Sequence, residues 1–160
     1  MNDSLGSKGT AILLCTLILM GSVTMFILYE SWTAMNPDPR NESHDYSFSG
    51  TLGDEYCSGT GRTDYTPEAG QYRLYTLNIS VHSQITSKDI RTGLMFDEDN
   101  DLDSDIYTFE GTTAEDGIEL KIWSYSENGL DYRFYVGELC VVHLITVQSD
   151  DFEIKGSLTR

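Results

Sequence analysis

The densest group of residues able to do chemistry is an acidic run in the middle of the chain, Asp97-Glu-Asp-Asn-Asp-Leu-Asp-Ser-Asp105. Carboxylates recur there at alternate positions and another acid follows; the five are Asp99, Asp101, Asp103, Asp105 and Glu110. Alternate side-chain oxygens on one loop can converge on a hard cation, and a distal glutamate can close the cage. The spacing therefore predicts a calcium site in loop 99–110, and a solvated acidic turn is the alternative. No other cofactor is indicated.

Loop 99–110 resembles an EF-hand calcium loop in the phase of its acids. Ser104 stands at the sixth place, where the EF-hand loop has glycine. Gly93 before the loop and Gly111 after it leave no paired helices. The resemblance therefore implies calcium binding by the loop, without an EF-hand domain around it.

The cysteines suggest a structural role rather than a catalytic or metal-binding one. Cys15 lies in an apolar run, which leaves Cys57 and Cys140 as a pair in the rest of the chain. In an oxidising compartment such a pair predicts one disulfide, and two buried thiols are the alternative. The histidines show no metal-ligand spacing to either cysteine or to one another, which argues against zinc: His44, His82 and His143.

Two acceptor triplets for N-glycosylation are present, beginning at Asn41 and at Asn78. Asn78 falls inside a predicted strand, on the face opposite Leu77. Both asparagines are therefore predicted as glycosylation sites if the region is outside the cell.

Charge and motif content exclude several functional classes. The chain has 26 Asp and Glu against 10 Lys and Arg, a formal net charge of -16, so it lacks the basic stripe that nucleic-acid binding needs. No G-x-S-x-G, H-E-x-x-H or phosphate-binding glycine loop occurs. We therefore expect a protein that is not an enzyme and does not bind nucleic acid; an enzyme of unknown chemistry is the alternative.

The N-terminal region is predicted to be a membrane anchor. The 21 residues between Lys8 and Glu30 carry no charge, and as a helix they would span roughly 31 Å, the thickness of a bilayer core. The run is longer than the apolar region of a cleaved signal peptide. Lys8 precedes the run, which favours a short cytoplasmic N-terminus at 1–8, a single-pass signal anchor at 9–29 in the lipid bilayer of the cell membrane, and a C-terminal region outside the cytoplasm.

Lys8-Gly9 before the apolar run resembles the processing site of type IV pilin-like precursors. Those precursors carry a Glu five residues after the cut, and Leu14 stands there in this chain. The resemblance implies an alternative function, a pilin-like subunit processed after Gly9.

The rest of the chain predicts a stalk and an all-β domain. Segment 30–45 contains Pro37 and Pro39, which favour extended backbone. Within 46–160, apolar residues alternate with polar ones in short runs, and Asn128-Gly129 favours a type I′ hairpin turn. Segment 140–147 shows no such alternation, as in a strand covered on both faces. We expect an acidic antiparallel β-sandwich or small barrel of seven to eight strands after one transmembrane helix.

A five-residue pattern occurs three times in the predicted β-domain, in Tyr46–Gly50, Tyr107–Gly111 and Phe152–Gly156. It alternates aromatic or aliphatic residues with polar ones and ends in glycine. This pattern is typical of strands that end at a glycine bend.

These observations favour a noncatalytic surface or envelope protein that binds a partner or has a structural role. An unknown surface protein or a glycan is the expected partner. Strong acidity would keep such a domain hydrated and soluble.

Overall fold

The computed structural model describes residues 18–29, 31–32, 38–67 and 72–159. It divides into two compact units, Met1–Asp38 and Pro39–Arg160. The predicted cytoplasmic segment 1–8, the pilin-like cut after Gly9, Cys15 and residues 30 and 33–37 of the stalk lie outside the described residues.

In the first unit, residues 18–29 are helical. Its hydroxyl groups bond to the helix backbone, since Ser22 Oγ donates to the Leu19 carbonyl at 2.9 Å and Thr24 Oγ1 donates to the Met20 carbonyl at 2.8 Å. Of the predicted span 9–29, only the part from Ile18 onward is described. Within the described residues, no helix has both the length and the apolar character needed to span a bilayer.

The second unit is mostly β. Its described residues form nine strands: β1 His44–Leu52, β2 Glu55–Thr66, β3 Arg73–His82, β4 Ser87–Phe96, β5 Thr108–Glu115, β6 Ile118–Glu127, β7 Leu130–Val136, β8 Val142–Ser149 and β9 Phe152–Leu158. Two 3-10 turns, Pro39–Asn41 and Glu138–Cys140, complete the elements described there.

The nine strands form one antiparallel open sheet in the order β4-β3-β2-β1-β9-β8-β7-β6-β5. Strands β1 to β4 and β5 to β9 are two meanders, joined where the last strand pairs with the first. The predicted all-β antiparallel architecture is confirmed, and the described residues form nine strands where seven to eight were expected.

One apolar cluster buries the inner faces of both meanders. The strand alternation that the sequence predicts is present; in β3, for example, Tyr75, Leu77, Ile79 and Val81 are all buried. The sheet curls over this cluster, since Thr92 Oγ1 on β4 donates to Glu127 Oε2 on β6 at 3.3 Å although six strands separate them in the sheet.

Positive-φ pairs close two of the hairpins. Asn128 (φ 53°) and Gly129 (φ 75°) connect β6 to β7, which confirms the predicted turn. Asp116 (φ 50°) and Gly117 (φ 81°) connect β5 to β6 in the same way. Both turns have positive φ at both central residues, the geometry that matches the twist of the flanking strands.

The predicted two-sided strand at 140–147 is only partly correct. Strand β8 begins at Val142, whereas Cys140 has φ 62° and lies in a 3-10 turn. Coverage on both faces is confirmed in the middle of β8, where the neighbouring residues Leu144 and Ile145 are both buried.

The repeated five-residue pattern has a structural meaning that differs from the expected glycine bends. Gly50 and Gly156 lie inside β1 and β9, and the register pairs Phe48 with Gly156 and Gly50 with Ile154. Each glycine therefore faces an apolar residue of the other strand. The Phe48 ring occupies the space that side chains at Gly61 and Gly156 would need.

Tyrosines fill the part of the core that lies between β4 and β7. The Tyr107 hydroxyl donates to the Gly93 carbonyl at 3.0 Å, and the Tyr107 ring meets the Phe134 ring edge-on with centroids 6.1 Å apart. Burial raises the pKa of Tyr107 to about 12 and that of Tyr132 to about 12. Charge repulsion from Glu127 contributes to both of these raised pKa values.

We expect the domain to lose stability above pH 10. A tyrosine whose folded pKa is raised keeps its proton while the unfolded chain, with a pKa near 10, releases it, so the free energy of unfolding falls from about pH 10 to about 12. Urea midpoints measured from pH 8 to pH 12 check this. Tyr107→Phe should reduce the alkaline loss and Tyr56→Phe, at an exposed position, should not; equal slopes in both variants would refute the assignment.

Candidate functional site

A groove of about 810 Å³ lies on the solvent face of β1 to β4. Strand register builds it from two parallel rows of side chains that cross the four strands. The first row is Asp45, Arg62, Asn78 and Arg91, and the second is Ser47, Thr60, Ser80 and Asp89. Because strand residues alternate between faces, these polar positions are the counterparts of the buried positions that form the core.

The first row holds two guanidinium groups on either side of an amide. Arg62 is fixed, since its Nε donates to Asp64 Oδ1 at 2.7 Å and its Nη1 donates to Asp45 Oδ1 at 3.0 Å. The hydrogen bond to Asp64 and the charge of Asp45 raise the pKa of Arg62. Arg91 forms no ion pair within the described residues and lies directly opposite Asn78 in the register.

The second row presents hydroxyl groups. Ser80 Oγ donates to Asp89 Oδ1 at 2.6 Å, and the hydroxyls of Ser47 and Thr159 are 3.2 Å apart. Hydroxyl groups and a carboxylate therefore lie together in this row. Such an array can hydrogen-bond a hydroxyl- or carboxylate-bearing ligand, and the groove lining contains no histidine or cysteine that could act as a nucleophile or base.

The two predicted glycosylation sites are both exposed. Asn78 lies in the groove between Arg62 and Arg91, with its side chain on the solvent face as predicted. Asn41 ends the 3-10 turn Pro39–Asn41, and its Oδ1 lies 3.5 Å from Arg73 Nε. Glycosylation of either residue stays a prediction.

The acidic loop uses its carboxylates within the protein. Asp97 Oδ1 accepts the backbone N–H groups of Asp99 and Asp101 at 2.9 and 3.0 Å, and Asp103 Oδ1 accepts that of Asp105 at 3.0 Å. The Asp101 carboxylate lies 2.6 Å from Lys121 Nζ.

Glu110, the expected closing ligand, bonds to Arg133 at 2.8 Å on the sheet surface. Among the described residues, no group of three or more acids, histidines or cysteines could hold a metal ion. Calcium binding by Asp99, Asp101, Asp103, Asp105 and Glu110 therefore stays a prediction without support from the geometry.

The predicted disulfide between Cys57 and Cys140 does not form; both residues are buried thiols. Cys57 lies just after the β1–β2 turn. In that turn the Gly53 N–H donates to the Asp151 carbonyl at 2.7 Å, and Asp151 comes after the end of β8. Cys140 precedes the start of β8, a strand of eight residues that spans about 26 Å. A disulfide needs Cα atoms within about 7 Å, so these opposite ends cannot be bridged.

Each thiol has its own surroundings. Burial raises the pKa of the Cys57 thiol. Cys140 Sγ donates to Asn100 Oδ1 at 3.5 Å and so connects the turn after β7 to the acidic loop.

Sequence reasoning did not identify Arg62 and Arg91 as site residues. Each is an outward position of an alternating strand, but nothing in the local sequence shows that both flank Asn78. Only the register of three strands brings them together. Comparison with known proteins gives the groove no further assignment, since no protein-family model and no curated protein matches the chain.

Proposed function

We propose that the chain is a noncatalytic, single-pass surface protein whose β-domain binds a glycan outside the cell. The observation that carries the proposal is the row of Arg62, Asn78 and Arg91 beside a second row rich in hydroxyls. Membrane anchoring through 9–29 is supported by the uncharged run in the sequence.

The balance of charge in the groove favours a hydroxyl-rich ligand. Two arginines and two aspartates line it, Arg62 and Arg91 with Asp45 and Asp89, so the lining is near neutral in a chain of net charge -16. A polyanion would be repelled by the rest of the chain. A sugar offers donors and acceptors together, which matches guanidinium, amide, hydroxyl and carboxylate groups on one surface.

The curled shape of the sheet supports this use. The hydrogen bond from Thr92 to Glu127 joins the two meanders over one core, as in a sandwich or small barrel. Residues on the outer face of β1 to β4 are then not needed to pack the core, so they are available to bind a ligand.

The test is oligosaccharide binding by the purified full-length protein. Neutral glucose and N-acetylglucosamine hexamers are the probes, and a carboxylated galacturonate hexamer is the polyanion expected to bind more weakly. Arg91→Ala and Asn78→Ala should each weaken binding at least tenfold, since each removes groups directed at a desolvated ligand. Lys155→Ala on β9 removes the same charge outside the groove and should leave binding unchanged.

Equal loss in Arg91→Ala and Lys155→Ala would show that binding follows net charge, which contradicts the proposal.

Intact cells that display the chain should bind the same hexamers and lose that binding after external protease treatment. A domain protected until lysis would contradict the proposed orientation. A glycan attached covalently to Asn78, detected by mass against Asn78→Gln, would give the groove a different occupant.

A further inference from the structure

The two guanidinium groups of the groove differ in how much of their charge is compensated by neighbouring acids. Arg62 lies between two carboxylates, with Asp45 Oδ1 at 3.0 Å and Asp64 Oδ1 at 2.7 Å. Arg91 is exposed on β4 and forms no ion pair with a residue that the structure describes. A guanidinium can bind a carboxylate through two parallel N–H···O bonds. Arg91 is therefore available to a carboxylate of the ligand, whereas the charge of Arg62 is already compensated.

The acid that shares a strand and a face with Arg91 is bonded to another residue. Asp89 lies two residues before Arg91 and directly opposite Ser80 in the register. Its carboxylate accepts the Ser80 hydroxyl at 2.6 Å, which holds it in the second row of the groove. Asp89 would repel a carboxylate of the ligand, so that carboxylate is best placed on the opposite side of Arg91, towards Gly93.

Open space lies on that side of Arg91. The next outward position of β4 is Gly93, which faces Thr76 of β3 in the register. Besides its chain neighbours, a Cβ atom at Gly93 would have only Leu74 Cδ1 within 4 Å, at 3.9 Å. Thr76 and Asn78 are on the solvent face, since the residues that alternate with them on β3 are buried. We call Thr76, Asn78, Arg91 and Gly93 the notch.

The notch offers the donors that a carboxylate needs. Arg91 supplies a guanidinium, Asn78 an amide N–H group and Thr76 a hydroxyl, which together can satisfy both carboxylate oxygens. Beyond the notch, Leu74 and Met95 face each other in the register, and both are half-buried. They give apolar surface for the C–H face of a sugar ring. An acidic sugar, which has a carboxylate on such a ring, matches this combination.

Charge limits the ligand to one carboxylate at this place, because Arg91 compensates one negative charge. A second carboxylate along the groove would meet Asp45 or Asp89. One placed further along the row of the notch would meet Asp64, which is opposite Thr76 in the register. The net charge of -16 adds to that repulsion. A glycan with a single acidic sugar therefore fits, whereas a polyanion does not.

We propose that the glycan ligand carries one carboxylate and that Arg91 binds this carboxylate in the notch. This inference rests on the proposed function and names the class of glycan that the same groove binds. Arg91 is the specificity-determining residue, with Asn78 and Thr76 as additional donors. Arg62 donates to hydroxyl groups elsewhere on the glycan.

The probes are a neutral glucose hexamer and the same hexamer ending in one glucuronate. Each is titrated calorimetrically into the full-length protein in mild detergent at fixed ionic strength. We expect the glucuronate-bearing hexamer to bind at least about tenfold more tightly, since a charge-assisted bidentate contact is added. Equal binding of the two hexamers would overturn this inference and leave the proposed function standing. Binding of neither would overturn the proposed function and this inference with it.

Protein variants locate the preference, measured as the ratio of the two affinities. Arg91→Gln keeps hydrogen-bonding groups and removes the charge, so it should bring the ratio close to equality. Gly93→Leu fills the notch and should do the same, with circular dichroism to confirm folding. Lys155→Gln on β9 removes the same charge outside the groove and should leave the ratio unchanged. A ratio that persists in Arg91→Gln, or that falls equally in Lys155→Gln, would overturn the proposal.

Discussion

Gly50→Ala is expected to destabilise the β-domain by about 3 kcal/mol or more. A Cβ atom at Gly50 would collide with the backbone carbonyl oxygen of Glu153 and lie 2.7 Å from the Ile154 Cα. Backbone atoms cannot rotate away as a flexible side chain can. The substitution therefore forces β1 and β9 apart, at the pairing that joins the two meanders.

Gly93→Ala on β4 is the matched control. The nearest atom to its Cβ would be Leu74 Cδ1 at 3.9 Å, so the methyl group has room. We expect no loss and a slight gain, because alanine loses less backbone entropy on folding than glycine. Urea unfolding of both variants measures the difference. Similar midpoints for the two would show that β1 and β9 do not approach as closely as described.

Phe48→Ala is expected to cost about 3–5 kcal/mol, as for other buried phenylalanines. The Phe48 ring lies against Gly61 and Gly156 on the two strands beside it, so its removal leaves a cavity bounded by backbone that has no side chains to fill it. Phe109→Ala, at the equivalent place in β5, should cost about 1 kcal/mol because half of that side chain is already in solvent.

Denaturant midpoints, with circular dichroism to confirm that each variant folds, compare these two phenylalanines. Equal losses would contradict the half-exposed position of Phe109 on β5. A loss near 1 kcal/mol for Phe48→Ala would instead show that β9 does not close over β1.

Local features of the fold could be predicted from the sequence. The alternation in β3 and β7 and the turn at Asn128-Gly129 depend on neighbouring residues, and all are present. The Asp116-Gly117 turn was equally visible as a dipeptide between two runs. That turn connects β5 to β6.

Long-range features could not be predicted. The disulfide prediction was wrong because two cysteines can be paired by count while strand direction places them at opposite ends of a sheet. The groove could not be predicted either, because Arg62, Asn78 and Arg91 become neighbours only through the register of β2, β3 and β4. In loop 99–110, spacing alone did not show that the carboxylates accept backbone N–H groups or form ion pairs with Lys121 and Arg133.

The pairing of the last strand with the first also determines how the nascent chain must fold. Ser47 and Thr159 share a hydrogen bond across 112 residues, so β1 waits for nearly the whole domain to be synthesised. Hairpins within each meander can form early, because their loops are short, while closure between β1 and β9 carries the largest loop entropy. Until then Phe48 lies on an open edge, and the unfinished sheet is most prone to aggregate in the interval before Gly156 arrives to cover that ring.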